Sequence, residues 1–172
     1  MLSQRSNAGR PPPGLGGALN GISAFGGRDR WHFVTYGLTE LFHKESDDPN
    51  VSGWGYELTL LTHASAEPPR WALSLLLAVA RITQEQGEWF DAGHRLDTGG
   101  DIAGGSGPLT AIAFCADRLV QPTAFPLGRY RFLQMVGITA SELDEMKATS
   151  TDTVLERLVA DDDLLRTDPA GR

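Results

Sequence analysis

The sequence is poor in cysteine, in long apolar runs and in basic residues. A single cysteine among 172 residues allows no internal disulfide, and nothing in the composition requires an oxidising compartment. No segment approaches the ~18 consecutive apolar residues of a membrane span. Residues 1–17 also lack the apolar core of a signal peptide. We therefore expect a cytoplasmic protein with no membrane anchor.

Basic residues are outnumbered by acidic ones, 15 against 22, which gives a formal net charge of −7. An acidic surface repels nucleic acid and anionic lipid, so neither is an expected partner. The same charge would speed the encounter with a basic protein more than it would tighten the contact. Solubility alone is the plainer explanation of the charge.

Metal-binding patterns are also missing, so no metal or cofactor is expected. The four histidines lack the close pairing of zinc sites, and there is no second cysteine: His32, His43, His63 and His94. Residues 161–163 are three aspartates that could hold a cation, but consecutive side chains cannot all point one way, so a solvated helix end is favoured. Cys115 lies in an apolar run and is interpreted as a buried structural cysteine rather than a nucleophile.

The glycine-rich segment 98–108 carries no recognisable catalytic motif. Its Gly-Gly-Ser-Gly-Pro run fails the G-x-S-x-G pattern because Pro108 replaces the last glycine. It also lacks the Lys-Ser/Thr ending of a phosphate loop. We therefore predict a protein that is not an enzyme. A hydrolase with a site near His94 and this loop stays as an alternative, and it requires a deep pocket with a perturbed titratable group.

Hydrophobic periodicity predicts strands at 31–35, 55–61, 109–116 and 129–136, and helices at 71–86, 139–148 and 152–160. In segment 55–61, Tyr56 and Leu58 alternate with Glu57 and Thr59. The helix at 71–86 is apolar almost all round, so we expect a central helix buried against the sheet. Segments 45–53 and 98–108 are predicted loops, and 89–96 is ambiguous. The element order predicts an α+β fold with a mixed, largely antiparallel sheet packed against the buried central helix and further helices.

One compact domain accommodates this length. We predict a flexible arm at residues 1–17, which includes three consecutive prolines at 11–13. The single domain is predicted at 18–168, and residues 169–172 form a frayed end.

Four segments, in order along the chain, resemble the Suppressor of Fused family. Segment 31–41 is similar to its H-W-H-Y-V-[ST]-[YF]-G-L-[ST]-[ED]-L block, and 52–59 to its S-G-[FW]-G-[FY]-E-L-T block. The helix from Trp71 resembles P-x-W-[AP]…L-x-x-[LV]-A-R, and segment 132–143 resembles F-L-Q-[LI]-V-G-[VI]-[TC]…E-L. Upstream, segment 16–23 resembles G-G…L-D-G-[IV]-S.

The resemblance implies a mixed α/β fold and a protein-binding role. Animal members are two-domain cytoplasmic regulators of Hedgehog signalling that hold a transcription factor's peptide as an added β-strand between their domains. This chain resembles only the N-terminal-type domain. It has Ile82 where animal members have a tyrosine, and it lacks their aspartate before His94, so the animal peptide site is not carried over.

Bacterial single-domain relatives are often associated with toxin systems. The resemblance therefore suggests an immunity or inhibitor-type protein whose partner is another protein, such as a basic toxin domain. The alternative is an adaptor or scaffold that binds an extended peptide at a sheet edge. The speculative partner-binding residues are Trp54, Arg81 and His94. Trp54 lies between Gly53 and Gly55 and is weighed as a partner anchor against plain core packing.

Overall fold

The computed structural model describes residues 19–40, 42–45 and 47–171. The predicted arm at 1–17 lies outside them. The described residues form seven strands and three helices: β1 (Gly21–Gly26), β2 (Arg30–Tyr36), β3 (Val51–His63), α1 (Arg70–Gln86), β4 (Arg95–Asp97), β5 (Leu109–Ala116), β6 (Thr123–Phe125), β7 (Gly128–Thr139), α2 (Ala140–Ala148) and α3 (Thr151–Asp161).

The strands form one mixed sheet in the order β1-β2-β3-β7-β5-β4, with β6 paired to β7. All neighbouring strands are antiparallel except β3 and β7, which are parallel, with Leu58 opposite Leu133. The parallel pair lies at the centre, where both strands are buried on both faces. The predicted α+β fold with a mixed, largely antiparallel sheet is confirmed.

Helix α1 packs on the sheet through one face. It begins after Pro69, whose side chain makes no cap, and ends at Gly87, which adopts the left-handed conformation (φ 70°) and donates its N–H to the Thr83 carbonyl. The buried residues recur at helical spacing: Ala72, Leu75, Leu76, Val79, Ala80 and Thr83. The prediction of a helix buried on the sheet is confirmed for this face. The opposite face is not buried, since Leu77 is 38% exposed.

Helices α2 and α3 cover the other face of the sheet over β5 and β7. Thr139 and Glu142 form the predicted capping box at the start of α2. The two helices share a second apolar cluster with the strands: Ala111, Ala113, Val136, Ile138, Leu143, Met146, Val154, Leu155, Leu158 and Leu165. Their coverage stops at β7, so none of the described helices lies on the outer face of β1, β2 and the first half of β3.

The chain after α3 returns to the sheet. The Thr167 N–H donates to the Leu61 carbonyl at 2.8 Å, and Thr167 is 1% exposed. Asp162, in the middle of the aspartate run 161–163 for which a solvated helix end is favoured, caps this turn by accepting from the N–H groups of Leu164 and Arg166. Fraying of 169–172 stays a prediction, and Arg172 lies outside the described residues.

Strand positions differ from the sequence predictions in three places. Strand β3 begins at Val51, inside the predicted loop at 45–53, and runs through to His63. Strands β1 and β6 were not predicted. The ambiguous segment 89–96 contains the start of β4, which pairs with β5.

Candidate functional site

Glu57, in the second sequence block, bonds to the turn that follows β2. Its carboxylate is buried and accepts five hydrogen bonds of 2.7–3.1 Å from two hydroxyls and three backbone N–H groups: Thr35 Oγ1, Thr39 Oγ1, Gly37 N, Leu38 N and Thr39 N. Burial raises the pKa of Glu57 above its usual range, while the hydroxyl and N–H donors act in the opposite direction. The second sequence block is thus bonded to the turn of the first.

A second buried polar cluster joins three elements. Asp117 Oδ2 lies 2.9 Å from His32 Nε2 and accepts from Thr59 Oγ1 at 2.5 Å, while its other oxygen caps the turn after β5 by accepting from Leu119 N and Val120 N. His32 is 8% exposed. The arrangement resembles a catalytic His-Asp pair. Among the described residues, the hydroxyl beside this pair is that of Thr59, and it already donates its hydrogen bond to Asp117. These bonds join β2, β3 and the turn after β5.

The fourth sequence block is also buried. Gln134 is fully buried and bonds the backbone on both sides, accepting from Arg118 N and donating to the Leu164 carbonyl. A Cβ at Gly137 would come within 2.6 Å of a Thr167 side-chain carbon and 2.7 Å of an Ile102 side-chain carbon, so a larger residue would force these side chains to shift. The residues that carry the family resemblance therefore hold the fold together.

The glycine-rich loop has a structural organiser as well. The Asp101 carboxylate accepts from the backbone N–H groups of Ala103, Gly105 and Gly107 at 2.8–3.0 Å. These bonds hold the pKa of Asp101 below its ordinary value. Asp101 thus holds the glycine-rich loop in its observed conformation.

Trp54 is buried, at 8% exposure, in the core cluster with α1. Its indole Nε1 has no hydrogen-bond partner among the described residues. Burial favours core packing, and a partner-binding role for Trp54 stays a prediction. Arg81 is exposed on α1 and His94 is exposed just before β4, and the structure does not bring the two side chains into contact.

Trp89, which the sequence reasoning missed, is the exposed aromatic of this region. It is 41% exposed, and its indole N–H donates to the Trp54 carbonyl at 3.3 Å. The His94 ring meets it edge-on with centroids 5.8 Å apart, and the Arg131 guanidinium lies 5.8 Å from its centroid. Arg131 also pairs with Asp91 at 2.7 Å. We call Trp89, Asp91, His94 and Arg131 the Trp89 cluster.

The Trp89 cluster adjoins β4, which is the last strand in the order that the described residues form. β4 pairs with β5 on one side and ends the strand order on the other. The Thr98 N–H donates to the Thr110 carbonyl, and hydrogen-bonded pairs recur every second residue in an antiparallel ladder. Leu96 therefore bonds toward β5, while Arg95 and Asp97 direct their backbone N–H and C=O groups outward. The Arg95 side chain is tied separately to Thr151 Oγ1 at 2.8 Å.

Cys115 and possible metal ligands are the remaining groups that the sequence analysis considers. Burial raises the pKa of Cys115 to about 12, so the thiolate is disfavoured at neutral pH. Within residues 19–40, 42–45 and 47–171, no group of three or more His, Cys, Asp and Glu side chains is placed to hold a metal ion. In the same residues, none of the helices combines the length and the apolar character that crossing a bilayer requires.

Comparison with known proteins gives one consistent result. A sequence model of the family described as Suppressor of fused protein (SUFU) matches residues 18–170. The Suppressor of fused homologues of Homo sapiens and Mus musculus are each 28% identical to this chain over 138 residues, which is 76% of this chain and 28% of theirs. The chain thus spans less than a third of the length of these curated relatives.

Solved structures share the fold. A chain of the Sufu-Fu complex crystal structure superposes with a TM-score of 0.82 at 22% identity, covering 92% of this chain and 78% of that one. Drosophila Suppressor of Fused gives 0.83 at 22% identity, over 92% of this chain and 43% of that one. A SUFU homologue from Neisseria gonorrhoeae gives 0.54 at 15% identity, over 90% and 78%.

Proposed function

The chain belongs to the Suppressor of fused family, and from that membership we propose that it is a non-enzymatic protein-binding domain that uses the β4 edge and the Trp89 cluster. The observation that carries the proposal is the open edge of β4, with a 41% exposed tryptophan in the neighbouring cluster. A related chain occurs in a complex named Sufu-Fu. That complex supports binding of another protein as the activity of the fold.

The proposed mode is strand addition. A partner segment in extended conformation pairs with the outward backbone groups of Arg95 and Asp97, and this ladder supplies affinity whatever the partner's sequence. His94 and Leu96 point to the α1 side of the sheet, so side chains of the partner on that side meet the Trp89 cluster. Aromatic residues are frequent anchors of binding energy at protein interfaces, and contacts with alternate side chains of the added strand give selectivity.

The proposed biological role is that of an immunity or inhibitor-type protein acting in the cytoplasm. The net charge of −7 supports it, because an acidic inhibitor is steered onto a basic toxin domain. The alternative is a peptide-binding adaptor, which the same β4 edge supports. The identity of the partner separates these two roles.

The first experiment is a pull-down of the tagged protein from its own cell lysate, with mass spectrometry of what stays bound. A basic toxin-like protein favours the inhibitor, and a protein with an extended recognition segment favours the adaptor. The dissociation constant for that partner is then measured for Arg95→Pro and Arg95→Ala.

Arg95→Pro removes the outward N–H of β4, whereas the matched control Arg95→Ala keeps it and loses only the side chain. We expect the proline variant alone to weaken binding at least about tenfold, or about 1.4 kcal/mol. Equal affinity of the two variants, both folded, would rule out strand addition at β4.

A further inference from the structure

The first strand of the sheet presents a second edge that the proposed function does not use. β1 ends the strand order at the side opposite to β4, and it pairs with β2. The Gly27 N–H donates to the Arg30 carbonyl at 2.8 Å, and hydrogen-bonded pairs recur at every second residue of an antiparallel ladder. The backbone N–H and C=O groups of Ile22, Ala24 and Gly26 therefore point away from β2, to a side where the described residues form no further strand.

β1 lacks the features that usually protect an edge strand. Its six residues, GISAFG, include no charged residue and no proline, which are common means of preventing edge-to-edge pairing. β4 at the opposite edge is only three residues long and carries Arg95 and Asp97. β1 is thus the edge at which another strand can pair without meeting a charged side chain of the strand itself.

A groove lies beside β1 on the face of the sheet opposite to α1. Ile22 and Ala24 pack against the core cluster with α1, so Ser23 and Phe25 point to the other face, because neighbouring residues of a strand alternate. The groove has a volume of about 160 Å³, close to the roughly 150 Å³ of a cavity that binds benzene. Its lining includes Ser23, Phe25, Val34, Tyr36, Tyr130 and Phe132. We call it the aromatic groove, and its size suits one aromatic ring.

The backbone of β1 is complementary to a second copy of itself. If two copies pair in antiparallel orientation about a two-fold axis at Ala24, the outward N–H and C=O groups of the two Ala24 residues bond each other. Ile22 of each copy then bonds to Gly26 of the other in the same way. All the outward backbone groups of β1 are satisfied in this register.

The same register brings one aromatic ring of each copy to the groove of the other. Phe25, which is 59% exposed, lies opposite Ser23 of the second copy, and the β2 partner of Ser23 is Val34. The diagonal neighbour of Phe25 is Gly21 of the second copy. The Tyr36 ring lies over that glycine, since a Cβ added there would come within 2.5 Å of the tyrosine hydroxyl oxygen. Phe25 thus meets the side of the groove that β1 and β2 form.

The charges of the chain permit this contact. Residues 20–27 contain no charged side chain, and Arg28 would lie opposite Asn20 of the second copy, so no like charges meet. The net charge of −7 on each copy is carried outside the contact and is screened over about 8–10 Å at physiological salt. One six-residue strand and one ring per copy form a smaller contact than the about 1,200–2,000 Å² of a stable interface. We therefore expect a dimer that dissociates on dilution.

We propose that two copies of this chain pair through β1, with Phe25 of each copy in the aromatic groove of the other. The interface is isologous, so it closes after two copies and does not continue into a fibre. The two β4 edges lie at opposite ends of the combined sheet and stay available for the proposed function. The pairing does not depend on that function, because it uses the other edge of the sheet.

The oligomeric state of the full chain tests the proposal. Its molar mass, measured by sedimentation equilibrium from about 1 μM to 1 mM, should rise from 18.6 kDa toward twice that value. A mass that stays at 18.6 kDa over the whole range would overturn the proposal.

Two variants locate the contact. Ala24→Pro removes an outward N–H and keeps the ladder with β2, and Phe25→Ala removes the ring. Each should raise the dissociation constant of the dimer at least about tenfold. The matched controls are Ala24→Ser, which keeps the N–H, and Phe125→Ala, and each should change this constant less than about threefold. Phe125 is 45% exposed on β6, which β2, β3 and β7 separate from β1.

Circular dichroism and thermal unfolding establish which variants are folded, and Phe25→Ala decides alone if Ala24→Pro is not. A dimer that the folded variants do not weaken would overturn the proposal, because the two copies would then meet at another surface. Arg95→Pro should leave dimerisation unchanged. Loss of the dimer in that variant would place the contact at β4 and would overturn the proposal as well.

Discussion

The Glu57 cluster and the Trp89 cluster lie at the same central strands but are built in opposite ways. Glu57 is 3% exposed, and its carboxylate is saturated by five donors. Trp89 is 41% exposed, and its ring is contacted by side chains that themselves reach solvent. Glu57 and the turn that it bonds belong to the first two of the family's sequence blocks, whereas in the Trp89 cluster only His94 was selected from a sequence block.

This difference separates two tasks. A buried polar group without a hydrogen-bond partner lowers the free energy of unfolding, so each such residue constrains the residues that it bonds. A substitution at one of them therefore affects the whole set. An exposed ring can be exchanged with little cost to the fold. Trp89 can therefore be substituted without disturbing the hydrogen bonds around Glu57.

The largest expected effect is from Glu57→Ala, which leaves three N–H groups and two hydroxyls without their acceptor. Unfolding free energy, measured by urea denaturation, should fall by about 5 kcal/mol, or the variant should fail to fold. The exposed Glu88→Ala on the same protein is the control and should change stability by less than about 0.5 kcal/mol. A loss below about 1 kcal/mol for Glu57→Ala would contradict the framework role.

Substitution of Trp54 and of Trp89 should separate an effect on stability from an effect on partner binding. Trp54→Ala empties a core position and should cost about 3–5 kcal/mol of unfolding free energy. Trp89→Ala should cost no more than about 1 kcal/mol yet weaken partner binding at least tenfold, or about 1.4 kcal/mol. Thermal unfolding and titration calorimetry give the two readouts. A folded Trp54→Ala with normal stability and lost binding would instead establish Trp54 as the anchor.

Asp117 should show its role in the pH dependence of stability. Although desolvation acts to raise it, hydrogen bonds from His32 and Thr59 hold the pKa of Asp117 below its ordinary value of 3.8. Since the folded-state pKa is depressed, the stabilisation is present above about pH 4 and is lost as the pH falls through the folded-state pKa.

Asp117→Asn should therefore lower the free energy of unfolding by about 1–3 kcal/mol at pH 7. Denaturant titrations at decreasing pH should show this difference from the wild type narrowing below about pH 4. A difference that stays constant down to pH 2 would mean that the carboxylate charge contributes nothing.

The smallest effect concerns charge. If the partner is basic, raising the salt from about 0.05 to 0.5 M should slow association severalfold while the dissociation rate changes little. Stopped-flow or surface-based kinetics measure both rates. An association rate that does not depend on salt would remove the charge argument for a toxin-like partner. The β4 edge would then be the remaining support for the proposed protein-binding function.

Much of the fold follows from local pattern. Strand β5 has the predicted bounds, residues 109–116. The capping box at the start of α2 is predicted from Thr139 and Glu142 and is present. Strand β1 was missed because its glycines and serine carry no strand preference. Strand β4 was missed because three residues are too short to show alternation.

The site was less accessible to sequence reasoning. The alternation in 55–61 predicted that Glu57 and Leu58 lie on opposite faces of the strand. The turn whose donors bond to the Glu57 carboxylate lies in another segment, and it is found only once the strand register is known. Trp89 follows Gly87 in a stretch without periodicity, and its exposure depends on Trp54 and Arg131. His94 was selected from a sequence block and does lie at the cluster, whereas its role in binding stays a prediction.

The parallel pairing of β3 with β7 also governs the order in which the molecule can form. β1, β2 and β3 follow one another as antiparallel neighbours and can associate as soon as they are synthesised. The central ladder must wait for β7, because α1, β4 and β5 are made in between. Closing so long a loop slows folding, so a nascent chain ending before Gly128 exposes the inner edge of β3. We expect folding of this domain to be late, cooperative and dependent on the arrival of its fourth sequence block.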